Sequence, residues 1–308
     1  MGRRTFALLL AAACATGALT SCSADSGGEP TPAAPAASQN ANLSAAPSAI
    51  PSLSAKPTRG TAPAKAFSVK TRKLQLSRGK GRPLPTTVWF PATGKGPFPV
   101  IVFSHGLTGR PSDYNDLLTP WARAGFVVAA PAYPHTSAGT KIDYTDVLNQ
   151  PADASYVLTK VLDLGSKKGD PLAGRLDPDH VAAAGHSAGG ITTLGMLSGT
   201  RDDRLAAAVV LAGRVALPGT FTGPAVPVLF VHGKLDRTVP YADGLAAFKA
   251  VPWSKALLTL PTAGHIVSSG KQFTLMIDSS TDFWRWSLYG DAGALKRLER
   301  RDNLDSTL

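Results

Sequence analysis

Cysteine is all but missing from this 308-residue chain, which has only Cys14 and Cys22. Both fall in the N-terminal stretch, so the rest of the chain has no disulfide and no thiol chemistry. That excludes a cysteine hydrolase and a cysteine-ligated metal site. Histidine is scarce as well. The six are scattered, no pair stands at ligand spacing, and neither a metal nor another cofactor is expected. Acidic residues are outnumbered by basic ones, 21 to 32, for a net charge of +11. The basic residues carry no nucleic-acid motif and no aromatic interleaving, so nucleic acid is not an expected partner. No internal repeat is present.

The chain opens "MGRRTFALLLAAACATGALTSC". Two arginines, an apolar run from Phe6 to about Leu19 and then small residues read as an export signal over 1–21, too short for a lasting membrane span. Its end, "LTSC", resembles the bacterial lipobox, in which the cysteine becomes the lipid-bearing first residue. Cys22 is therefore the expected lipidation site, and the protein is expected on the outer face of the bacterial cell membrane. Cleavage as an ordinary signal at a nearby site is the alternative. Arg3 and Arg4 before "TF" also loosely resemble a twin-arginine signal, with the general secretory route equally open. Residues 22–64 are rich in Ala, Pro and Ser and have few large apolar residues, the composition of a disordered tether that cannot bury a core.

The remaining 65–308 suit one α/β domain. "FSVKTRKLQLS" and "LPTTVWFPA" alternate apolar and polar residues, predicting an antiparallel hairpin. Its cations (Lys65, Lys70, Arg72, Lys73, Arg78, Lys80 and Arg82) meet no acidic residue between them. They read as a solvated edge that blocks strand aggregation, or else as a patch for anionic lipid or cell-wall polymer. "PVIVFSHG", "FVVAAP", "HVAAAGHS", "AAAVVLAG", "PVLFVHG" and "ALLTLPTAGH" are near-continuous apolar runs, the mark of strands buried on both faces. Helical segments alternate with them, although Pro120 interrupts "DYNDLLTPWARAG", and the last helix is "FTLMIDSSTDFWRWSLYG". Together they predict a mostly parallel sheet with helices on both faces. Ligands of such sheets bind beyond the carboxyl ends of the strands.

"GHSAGG" falls at that edge. Ser187 lies between the third buried strand and a helix, the context of a nucleophile elbow, and Gly185 and Gly189 avoid crowding in the turn. A serine hydroxyl needs a base to take its proton and a carboxylate to orient that base, in the order Ser, acid, His. Of the two later histidines, His265 follows the last strand in a loop able to reach back, whereas His232 sits at a strand tip and reads as a local hydrogen-bonding residue. Asp236 in "GKLDRTVP" is the expected acid. Asp243 reads as a first-turn helix carboxylate, and Asp202 and Asp203 as a solvated loop. The expected oxyanion donors are the amides of Ala188 and of Leu107 in "SHGLTG". His105 is expected to pin that loop, and with Tyr133 is also a candidate to touch substrate. His186 is expected to point under the sheet edge. The loop carrying Tyr133, His135 and Tyr144 is expected to wall the pocket, with Trp253 and "FWRW" as packing.

Taken in order, "SHGLTG", "GHSAGG", "GKLDRTVP" and "AGHI" resemble the α/β-hydrolase superfamily. The likeness is closest to the bacterial branch similar to dienelactone hydrolases, platelet-activating-factor acetylhydrolases and chlorophyllases. It covers roughly 66–290. The resemblance implies the α/β-hydrolase fold and a serine esterase or lipase-like hydrolase with Ser187, Asp236 and His265 as triad. Dienelactone hydrolases proper use cysteine, so their lactone substrate does not carry over, and no aromatic clamp favours the similar polyester hydrolases. The connection Arg214–Ala225 is too short for a separate lid domain. The expected partners are a small-molecule or lipid ester and, through Cys22, a membrane surface, and a monomer is expected. An amidase or peptidase with the same triad, or a catalytically silent surface-binding lipoprotein, are the other readings.

Overall fold

A computed structural model describes residues 60–308. The expected export signal, the expected lipidation site Cys22 and the expected tether as far as residue 59 lie outside the described residues. The strands are β1 (Val69–Ser77), β2 (Pro83–Pro91), β3 (Phe98–Ser104), β4 (Val127–Pro131), β5 (Leu176–His186), β6 (Leu205–Leu211), β7 (Val228–Gly233), β8 (Lys255–Leu260) and β9 (Leu304–Ser306). Among the described residues they form one sheet in the order β1-β2-β4-β3-β5-β6-β7-β8-β9. Strands β3 to β8 run parallel, while β1, β2 and β9 pair antiparallel at the two ends. This is the α/β-hydrolase fold expected from the sequence.

The helices are α1 (Asn115–Arg123), α2 (Gln150–Leu162), α3 (Ala188–Gly195), α4 (Tyr241–Ala250), α5 (Gly270–Tyr289) and α6 (Ala292–Glu299). Successive strand residues point to opposite faces, and that splits the core in two. Val100 and Val102 of β3 pack with Val157 of α2, Leu194 of α3 and Phe248 of α4. Ile101 and Phe103 pack with Trp121 of α1, Trp284 of α5 and Leu298 of α6. Covering on both faces explains why these strands read as unbroken apolar runs. Pro120 sits inside α1, so the interruption in the sequence did not end the helix.

Four expectations are corrected. The chain does not end in α5, because α6 follows it and β9 returns to the edge of β8. Residues before Lys65 also pack on the domain, since Arg285 Nη1 donates to the Pro63 carbonyl at 2.9 Å. Nor are all the hairpin cations merely solvated. Arg72 pairs with Asp170, Arg78 with Asp153, and Arg82 with both Asp146 and Asp153. Asp153 is fully buried, so the hairpin tip is clamped to the start of α2. Asp202 is likewise buried, between Arg204 and Ser155, and only Asp203 is solvated.

Candidate active site

β5 delivers its last residue, His186, to the carboxyl edge of the sheet, and α3 starts two residues later. Between them Ser187 has φ +57° and ψ −117°, a strained conformation for a residue with a Cβ. Its neighbours explain why the turn can form. A Cβ on Gly185 would lie 2.1 Å from the Gly189 carbonyl oxygen, and one on Gly189 would lie 1.9 Å from that of Ser104. Only glycine fits at either position.

The Ser187 hydroxyl donates to His265 Nε2 at 2.8 Å. His265 Nδ1–H donates to Asp236 Oδ2 at 2.7 Å, and a carboxylate partner fixes that tautomer. Asp236 is held in turn, because its Oδ1 accepts the amides of Thr238 (2.8 Å) and Val239 (2.9 Å). The loops that carry Asp236 and His265 also join directly. The amides of Lys234 and Leu235 donate to the carbonyls of Leu260 and Ala263. His232 is buried, donates through Nε2 to the Val239 carbonyl at 2.9 Å and lies 3.4 Å from Asp236 Oδ2. It braces the Asp236 loop.

Leu107 borders the cleft beside Ser187, and Ala188 follows Ser187 directly. Ala188 opens α3, so its N–H is one of the amides a helix leaves unpaired. The Leu107 N–H has no acceptor among the described residues, and its direction is set by the far side of its peptide. The Gly106 carbonyl accepts from His105 Nδ1 at 2.7 Å and from Gly109 N at 2.9 Å. In a trans peptide this turns the Leu107 N–H the opposite way. Thr108, next in line, has φ +62°. His105 Nε2 accepts from the Ser137 hydroxyl at 2.9 Å and the Tyr133 amide at 3.3 Å. Burial lowers the His105 pKa, and the neutral ring keeps one donor and one acceptor.

This geometry corrects the substrate-contact assignments. His105 and Tyr133 are buried and do not border the cleft. His105 shapes the loop from behind, and the Tyr133 hydroxyl bonds Ser104 at 2.7 Å. The segment with His135 and Tyr144 packs behind the 105–109 loop, where Thr108 N donates to the Thr136 carbonyl, and does not wall the cleft either. The cleft, of about 310 Å³, is walled instead by Leu117 of α1, by Ile266 and Val267 before α5, and by Phe273 and Met276 within it. Phe273 and Met276 are three apart on one helix face. That spacing is a usable signal, although it reads equally well as core. Tyr114 and His186 also border the cleft, and no local sequence pattern points to either.

Residues 57–213 match the family model described as Chlorophyllase. No curated protein matches the chain. The matched segment carries the 105–109 loop, Tyr114 and Ser187; Asp236 and His265 lie beyond it.

Proposed function

The chain belongs to the chlorophyllase family, esterase-like α/β hydrolases, and on that premise we propose that it is a serine carboxylic-ester hydrolase working through Ser187, His265 and Asp236. The single observation that carries the reading is the unbroken hydrogen-bond line from Ser187 to Asp236 at the mouth of an apolar cleft. Ser187 Oγ attacks the ester carbonyl while its proton passes to His265 Nε2. The carbonyl oxygen becomes an oxyanion between the amides of Leu107 and Ala188. On collapse the C–O bond breaks, and the alcohol leaves with the proton from His265. Water then repeats the sequence on the acyl-enzyme and releases the acid. A cleft of about 310 Å³ is at the small end of ligand sites and suits a short or medium acyl group.

The test is a panel of nitrophenyl esters and anilides. The wild type is expected to hydrolyse short-chain esters and Ser187→Ala to be inert on all of them. Activity on anilides alone would transfer the reading to an amidase, and equal rates for the two proteins would remove it.

The N-terminal reading belongs to the same proposal. Cys22 carries lipid, and the Ala/Pro/Ser-rich stretch after it spaces the domain from the outer face of the membrane. In cell fractions Cys22→Ala is expected in the soluble fraction, and a variant still wholly in the membrane fraction would count against lipidation.

A further inference from the structure

Four groups outside the Ser-His-Asp line connect the three loops that the proposed chemistry needs. Gly106 N–H donates to the Tyr114 hydroxyl oxygen at 2.9 Å. That hydroxyl lies 2.9 Å from His186 Nδ1, and His186 Nε2 lies 3.0 Å from the backbone carbonyl of His265. The direction of every bond follows from the last one. A carbonyl only accepts, so His186 Nε2 carries the proton. Burial pushes the His186 pKa down to about 4 and that of the Tyr114 phenol up to about 12, so the imidazole is neutral and the phenol keeps its proton. His186 Nδ1 is then a lone pair, Tyr114 must donate to it, and the Tyr114 oxygen is left to accept from Gly106.

We infer that Tyr114 and His186 form a positioning relay that sets the base loop against the oxyanion loop. The inference rests on the ester-hydrolase reading. Among the described residues, the segment from Gly264 to Ser268 makes one backbone hydrogen bond, the one that His265 O accepts from His186. The base's own peptide is therefore held in place from His186, the residue beside the nucleophile. At the other end, Tyr114 holds the Gly106 amide, next to the peptide that carries the Leu107 N–H. Space at the junction is tight: a Cβ on Gly106 would meet His186 Nδ1 and the Tyr114 hydroxyl, each at 3.2 Å. Neither side chain has to touch substrate. They act by keeping His265 Nε2 on the Ser187 hydroxyl while a proton moves between them, and a displacement of about 1 Å can cost 100-fold in rate.

The relay is tested in the full-length protein with nitrophenyl butyrate, comparing wild type, Ser187→Ala, Tyr114→Phe, His186→Leu and His186→Gln, with thermal melts of each. Tyr114→Phe and His186→Leu are each expected to lose roughly 10- to 100-fold in kcat, with KM within about twofold. The double variant should lose little more than the worse single, because both cut one chain. His186→Gln keeps an N–H₂ that can donate to the His265 carbonyl and is expected to regain most of the loss, an outcome that mere core packing would not produce. If Tyr114→Phe does not fold, the His186→Leu and His186→Gln pair decides the question. Ser187→Ala inert with Tyr114→Phe and His186→Leu at full kcat overturns the relay alone. So does an effect confined to KM, or a His186→Gln loss equal to that of His186→Leu. Ser187→Ala as active as wild type overturns the ester-hydrolase reading and the relay with it.

Discussion

Asp236→Asn is expected to lower kcat by about three to four orders of magnitude and to leave KM and the fold nearly unchanged. The size of the effect follows from which oxygen does what. Oδ1 accepts two backbone amides, those of Thr238 and Val239, so an asparagine must place its only oxygen there. Its N–H₂ then faces His265 Nδ1, where the carboxylate oxygen Oδ2 had accepted. Nδ1 becomes the acceptor and the ring proton moves to Nε2. That proton now points at the Ser187 hydroxyl, and the ring can no longer take a proton from it. The same N–H₂ also meets the Nε2–H of His232, which lies 3.4 Å from Oδ2 in the native protein. Steady-state kinetics on a nitrophenyl ester, with circular dichroism of the variant, checks this. A loss below about tenfold would mean that Asp236 does not set the tautomer.

Asp153→Ala is expected to be the most damaging change outside the cleft, costing about 3 kcal/mol of stability. Asp153 is fully buried. It accepts from Arg78 Nε at 2.6 Å and from Arg82 Nε at 2.9 Å, with a further short contact to Arg82 Nη2. Removing one member of a buried ion pair costs about 3–5 kcal/mol, because the partner charge stays behind. The lower end applies because the Arg78 side chain is 34 % exposed and can turn to water, and Arg82 keeps Asp146. For a domain of this size the melting temperature should fall by roughly 6–12 °C. A fall of less than about 2 °C would show that the hairpin clamp contributes little. The cluster also shapes acid stability. Burial pushes the Asp146 carboxyl up, but hydrogen bonds from Arg82 and Asn149 outweigh it, and the pKa ends below the ordinary 3.8. A depressed folded-state pKa contributes stability in full above the unfolded value. The wild type should therefore lose that contribution as pH falls below about 3.8, and Asp153→Ala should already be destabilised at neutral pH.

Local signals carried much of this architecture. Unbroken apolar runs such as "PVIVFSHG" mark strands covered on both faces, and the same runs ending in loops put Ser187, Asp236 and His265 at one edge of the sheet. The geometry around Ser187 follows from two glycines whose spacing is visible in the sequence. What escaped were contacts between distant positions. Asp146 and Asp153 meet Arg82 from 64 and 71 residues away, and no local pattern reports such a pairing, so the hairpin cations looked unpartnered. Tyr114 sits in a helical stretch and His186 beside Ser187, yet their hydroxyl and ring meet across 72 residues. β9 is only three residues long, too short to show a period. His105 and Tyr133 were misplaced for a related reason: a polar residue near a catalytic loop can face the ligand or brace the loop from behind, and the sequence pattern is the same.

The central claim is that Ser187 carries the acyl group. The most direct measurement is mass spectrometry of the intact protein and its peptides after brief exposure to a nitrophenyl ester that deacylates slowly. The account predicts a mass gain of one acyl group on the peptide containing Ser187, released together with one equivalent of nitrophenol and absent in Ser187→Ala. An acyl group found on another residue, or nitrophenol release that persists unchanged in Ser187→Ala, would contradict it.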